Sequence, residues 1–175
     1  MKHTVVEIYA LSQGGKHEAD VFYPEDFVSN VSARFPVVAF THAMLSGGDR
    51  TPNAYKNLYD DIVSFGFVVV APRTCPVLFC VDFYEDAYAS IEALHKGLTH
   101  PPLRVSDFID RERSGLIGQS MGGDAVVRGA TDGDWIKKVN VKVAVALQPA
   151  SYANPKTNAT EIKVPIYLSS GTADM

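Results

Sequence analysis

The sequence predicts an α/β domain, a mostly parallel sheet with helices on both faces. Two continuous apolar runs, Phe35-Pro36-Val37-Val38-Ala39-Phe40-Thr41 and Phe67-Val68-Val69-Val70-Ala71-Pro72, have the pattern of strands buried on both faces. Between and after such runs lie stretches whose apolar residues recur at helical spacing, the alternation that calls for a covered parallel sheet. No internal repeat, low-complexity tract or linker interrupts residues 1–175, so they read as one domain or part of one.

The elements follow in order. Val5 to Leu11 and Val21 to Tyr23 are β-rich and flank the turn-like Gln13-Gly14-Gly15-Lys16, which predicts an opening hairpin. That turn is not a phosphate loop, because it lacks the first glycine and the Ser or Thr after lysine. Past the strand at Phe35, Thr51-Pro52 resembles an N-cap with proline at the first helical position. Ala54, Leu58, Ile62 and Phe65 then keep helical spacing until Gly66. From Asp82, the positions of Tyr84, Ala87, Tyr88, Ile91, Leu94 and Leu98 predict another amphipathic helix, closed by Gly97, His100 and two prolines. Gly115-Leu116-Ile117 reads as a short strand, Asp124 to Ala130 as a helix, and Val141 to Leu147 and Val164 to Ser169 as two more strands.

Composition excludes several functions. With 46% hydrophobic and 21% charged residues, a net charge of −4 and a pI near 5.7, the chain has no basic footprint for nucleic acid. The longest apolar stretch, Phe65 to Pro72, is far short of the ~18 residues that cross a bilayer, so no transmembrane segment is expected. Met1 to Tyr9 starts basic but is interrupted by Glu7, and no signal peptide is read; a cytoplasmic location is favoured slightly over a secreted one. Cys75 and Cys80 cannot make a four-ligand zinc site without histidines at matching spacing, and neither a metal nor a cofactor is expected. Two unpaired thiols are the preferred reading; a disulfide closing the small loop is the alternative. Asn30-Val31-Ser32 and Asn158-Ala159-Thr160 are sequons that matter only in a secreted protein.

Chemistry concentrates at Gly118-Gln119-Ser120-Met121-Gly122, between an apolar strand and a helix. Glycines two before and two after a serine permit a turn so tight that the serine takes a strained backbone, because side chains there would strike neighbouring elements. Such a turn lifts the Ser120 hydroxyl above the sheet. It also sets the Met121 backbone N–H at a helix N-terminus, where it can stabilise an oxyanion. Asp124, in the first helical turn, reads as a dipole-compatible surface residue.

On these residues the chain resembles the α/β-hydrolase superfamily over its whole length. The cues are Phe40-Thr41-His42-Ala43-Met44, Phe65-Gly66-Phe67-Val68-Val69-Val70-Ala71-Pro72, Gly118-Gln119-Ser120-Met121-Gly122-Gly123 and Gly171-Thr172-Ala173-Asp174. Within the superfamily it is most similar to chlorophyllase, cutinase-like and polyester-hydrolase relatives. The resemblance implies a sheet that ends here after the strand carrying the catalytic acid. It implies a carboxylic-ester hydrolase acting through an acyl-serine intermediate on a hydrophobic small-molecule or lipid ester, such as a lipid, a polyester or a phytyl ester. Ser120 is then the nucleophile and the Met44 N–H the second oxyanion donor beside Met121. Ala43 stands where relatives carry glycine, which would strain the loop if that position needs a positive φ. His42 either braces this loop or is a strand-end histidine satisfied by backbone.

Asp174, after the strand from Val164 and the turn Gly171-Thr172-Ala173, has the chain order of the acid that orients the base. No histidine follows it. His3, His17, His42, His95 and His100 all precede Ser120, and His95 and His100 read as surface residues. The chain therefore reads as C-terminally truncated, with the catalytic histidine missing, the Val164 strand an exposed apolar edge, and the product poorly soluble and nearly inactive. Alternatives are a dienelactone-type or peptide-type serine hydrolase and, from another class, an inactive hydrolase-like domain kept for binding.

Overall fold

The computed structural model describes residues 1–25, 33–76, 80, 82–100, 104–150 and 159–171. Its centre is a seven-stranded sheet in the order β1-β2-β4-β3-β5-β6-β7. The strands are β1 (Lys2–Tyr9), β2 (Lys16–Tyr23), β3 (Phe35–Thr41), β4 (Val68–Pro72), β5 (Ile109–Gln119), β6 (Val141–Leu147) and β7 (Ile166–Ser169). β1 and β2 form the expected antiparallel hairpin, and β2 meets β4 antiparallel. From β4 to β7 every pairing is parallel. Every residue of β4 and most of β3 is buried, as the two apolar runs require.

Among the described residues five α-helices flank the sheet: α1 (Thr51–Ala54), α2 (Lys56–Ser64), α3 (Phe83–Lys96), α4 (Met121–Gly129) and α5 (Gly133–Lys138). On one face Tyr59 and Val63 of α2 pack on Phe22, Phe40, Val69 and Ala71. On the other, Tyr88, Ile91 and Leu94 of α3 and Val126 of α4 join Val37, Ala39, Val70, Leu116 and Ala144 in the larger core. α3 starts with Glu85 and Asp86, ends with His95 and Lys96, and stops at Gly97 in the left-handed conformation, charges and cap that suit the helix dipole.

Several expectations are corrected. The helix expected from Thr51 to Phe65 is two helices, broken at Tyr55, whose backbone (φ −122°, ψ 16°) leaves the helical region. α4 begins at Met121 rather than Asp124, and β5 begins six residues before Gly115. α5 was not expected; the Asp132 side chain caps it by accepting from the Asp134 and Trp135 N–H groups. Cys75 and Cys80 are joined in a disulfide across a Cα separation of 5.6 Å, which corrects the unpaired reading. Asp124 and His95 are buried instead of lying on the surface, because α4 and α3 are covered more fully than their own spacing reveals. β7 is the edge of the described sheet, and its Tyr167 and Leu168 are 62% and 54% exposed, as expected of an apolar edge. No helix among the described residues is long and apolar enough to cross a membrane.

Candidate active site

Topology selects the place. The chain leaving β3 crosses to the α1/α2 face, whereas the chain leaving neighbouring β5 enters α4 on the opposite face. Adjacent parallel strands whose connections part in this way leave a crevice at their carboxyl ends, the usual seat of a ligand in an open α/β sheet. Thr41 pairs with Gly118 in this register, so the loop carrying Met44 and the turn carrying Ser120 leave the sheet side by side.

Ser120 sits on that turn with φ 54° and ψ −116°, a conformation that side chains rarely adopt. Its backbone is held from three directions. Its N–H donates to the Leu147 carbonyl at the end of β6, and its own carbonyl accepts from the Asp124 and Ala150 N–H groups, at 2.9 and 3.0 Å. The flanking glycines are required by contact. A Cβ at Gly118 would lie 2.2 Å from the Gly122 carbonyl oxygen, and one at Gly122 would lie 2.0 Å from the Thr41 carbonyl oxygen. The Thr41 hydroxyl, fully buried, donates to the Gly122 carbonyl at 2.8 Å and fastens the start of α4 to the end of β3.

The loop after β3 that carries Met44 is a turn. The Ser46 N–H donates to the Ala43 carbonyl, and the positive φ (65°) falls on Leu45. Ala43 is not among the residues with positive φ, so the strain expected there is carried by exposed Leu45 instead. The Met44 N–H donates to no described backbone group, and the Met121 N–H to none outside α4. Both side chains pack in one small cluster with Cys75, Phe83 and Ala125, which brings the two loops together.

His42 is buried beneath this loop, its ring 4.7 Å from that of Phe83. Its Nδ1 lies 2.9 Å from the Ala43 carbonyl and its Nε2 lies 2.7 Å from the Thr74 carbonyl. Both sequence readings of His42 therefore hold, for the ring braces the loop through backbone acceptors. Burial lowers its pKa from the usual imidazole value, and the two carbonyls oppose that only in part. A neutral imidazole can donate to only one of them.

Asp174 lies outside the described residues. The strand that leads toward it, β7, does end at the same sheet edge, with Ser169 opposite Leu147. None of the five histidines stands at Ser120. His3 contacts Asp20, His17 the Gly14 carbonyl, His42 the carbonyls above and His95 the Ser114 hydroxyl, while His100 pairs with Glu7 at the β1 edge. Among the described residues no group of His, Cys, Asp and Glu could hold a metal ion.

Sequence reasoning missed Tyr55, Gln119 and Thr41. A cavity of about 400 Å³ is lined by Tyr55, Leu58, Gln119, Leu147, Gln148 and Ser169, and reaches the residue before Ser120 at Gln119. None of these side chains is charged. Tyr55 carried no local signal, because it looked like one more residue of a continuous helix.

The chain has the α/β-hydrolase fold. A solved acylaminoacyl peptidase, in complex with Z-Gly-Gly-Phe-chloromethyl ketone, matches it with a TM-score of 0.66 over 95% of this chain at 16% identity. The chain spans 31% of that protein's length. No known family model and no curated protein matches the sequence.

Proposed function

We propose that the chain is the nucleophile-bearing part of a serine hydrolase that cleaves carboxylic esters through an acyl-Ser120 intermediate. The observation that carries this reading is the backbone of Ser120 at φ 54°, wedged between two glycines that tolerate no Cβ, at the crevice between β3 and β5. In this reading the Ser120 Oγ adds to the ester carbonyl while its proton passes to a base. The resulting oxyanion accepts from the Met121 and Met44 N–H groups, and the alcohol departs with a proton. Water then attacks the acyl-serine and releases the acid. Asp174 would orient the base, an imidazole supplied from outside residues 1–175, since all five histidines of the chain are placed elsewhere. The uncharged lining of the cavity at Gln119 favours a neutral ester, and the chlorophyllase and cutinase-like resemblance suggests a lipid, a polyester or a phytyl ester.

A second reading, a hydrolase-like domain kept for ligand binding, is favoured by the lack of an imidazole at Ser120. A fluorophosphonate probe, applied to protein that carries the proposed base as well as residues 1–175, separates the two. The hydrolase reading expects a covalent adduct mapped by mass spectrometry to Ser120 and absent from Ser120→Ala. The binding reading expects none.

A further inference from the structure

The break in the first helical segment places one side chain between the two loops of the site. Tyr55 occupies that break, and its ring lies 4.5 Å from Phe40 and 6.1 Å from Tyr59, which fixes its direction. Its hydroxyl accepts from the Ala43 N–H at 2.8 Å and donates to the Gln119 Oε1 at 2.9 Å. Ala43 is the residue before Met44, and Gln119 is the residue before Ser120. One phenol thus links the backbone of the proposed oxyanion loop to the side chain adjoining the nucleophile. The single hydroxyl proton is committed to Gln119, and the Ala43 N–H fills an acceptor site, so the link has a defined direction.

We propose that Tyr55 is a positioning residue that sets the Met44 N–H against the Ser120 turn, acting through Ala43 and Gln119. The role rests on the serine-hydrolase reading above. The turn of the Met44 loop carries a positive φ at exposed Leu45; His42 braces it from beneath and Met44 packs against Met121, and the Tyr55 hydroxyl adds a directional hydrogen-bond link from Ala43 to the residue beside Ser120. A donor aimed at a developing oxyanion acts only when its geometry is fixed in advance, and small displacements weaken it steeply. The Tyr55→Phe variant removes the oxygen while keeping the ring against Phe40 and the wall of the cavity. Gln119→Leu removes the acceptor from the other side.

The test uses protein that carries the proposed base as well as residues 1–175, and measures the rate at which a p-nitrophenyl ester or fluorophosphonate modifies Ser120, as a function of reagent concentration, in the wild type, both single variants and the double variant. The expected result is a maximal rate lower by about 10- to 100-fold in each single variant. The half-saturating concentration should stay unchanged, the double variant should be little slower than either single one, and amide exchange at Ala43 should be faster. A purely structural tyrosine would leave the maximal rate of the folded protein unchanged. Unaltered rates in Tyr55→Phe, or fully additive losses in the double variant, overturn the role while leaving the hydrolase reading intact. A wild-type protein that is not modified at Ser120 overturns that reading and this role with it. Unchanged Ala43 exchange in Tyr55→Phe overturns the link even in that case.

Discussion

Ser120 is the residue on which the local physics is most demanding. Holding a non-glycine residue in such a conformation costs on the order of 1–3 kcal/mol, and it persists only where neighbours over-determine it. Here the Leu147 carbonyl, the Asp124 and Ala150 N–H groups and the contact between Gly122 and Thr41 do so. Substituting Gly122 with Ala would force a Cβ to within 2.0 Å of a backbone oxygen that cannot swing away. The expected outcome is a loss of about 1–3 kcal/mol in urea unfolding together with loss of Ser120 reactivity; a variant as stable and as reactive as the wild type would show that the turn does not depend on this contact. This much was legible in the sequence, because a glycine requirement two residues either side of a serine is local. The burial of Asp124 and His95 was not, because it depends on what other elements lay over them.

At the scale of elements, the loop after β4 supports the loop after β3. The Thr74 carbonyl faces His42, the Arg73 carbonyl accepts from the Gly48 N–H, and Cys75, at φ 58°, joins the cluster that holds Met44 and Met121. The Cys75–Cys80 disulfide closes this segment. Ser12, whose N–H and hydroxyl both bond the buried Asp86 carboxylate, lies against both sulfurs. Closing so short a loop stabilises by roughly 2 kcal/mol through chain entropy. The double variant Cys75→Ser, Cys80→Ser is therefore expected to unfold at lower urea by about that amount, with faster amide exchange at Gly48. Equal stability and exchange would mean that the cross-link constrains nothing that the packing does not already hold. The pairing could not be read from spacing alone, since a five-residue separation suits two loop thiols as well as a bridge. The break at Tyr55 was hidden for a related reason: helical periodicity continued through it, while the contacts that go with it lie with residues 12 and 64 positions away.

For the whole molecule, the alternation of apolar runs and helical spacing announced a mostly parallel, covered sheet, whereas its strand order, which brings the two loops of the site to one crevice, is set by long-range pairing. Burial also gives the fold a pH dependence. His42 and His95 both have pKa values lowered from 6.5, burial being the main cause. The unfolded chain therefore binds protons at these positions more readily than the folded one. Stability from the two groups is fully present above pH 6.5 and is lost as pH falls below it. Urea midpoints should decline from pH 7.5 to 5.5, and His95→Gln should flatten the decline; a midpoint that rises over that interval would contradict the burial of neutral imidazoles. The crevice is proposed to perform acyl transfer at Ser120. Acylation or phosphonylation of Ser120 needs a base to take its proton, so the protein tested must carry the proposed imidazole as well as residues 1–175. The most direct measurement is fluorophosphonate labelling followed by peptide mass spectrometry. An adduct on Ser120 in preference to every other serine, lost in Ser120→Ala, is the expected result; its absence, or equal labelling of the Ser120→Ala protein, rules out acyl transfer at Ser120.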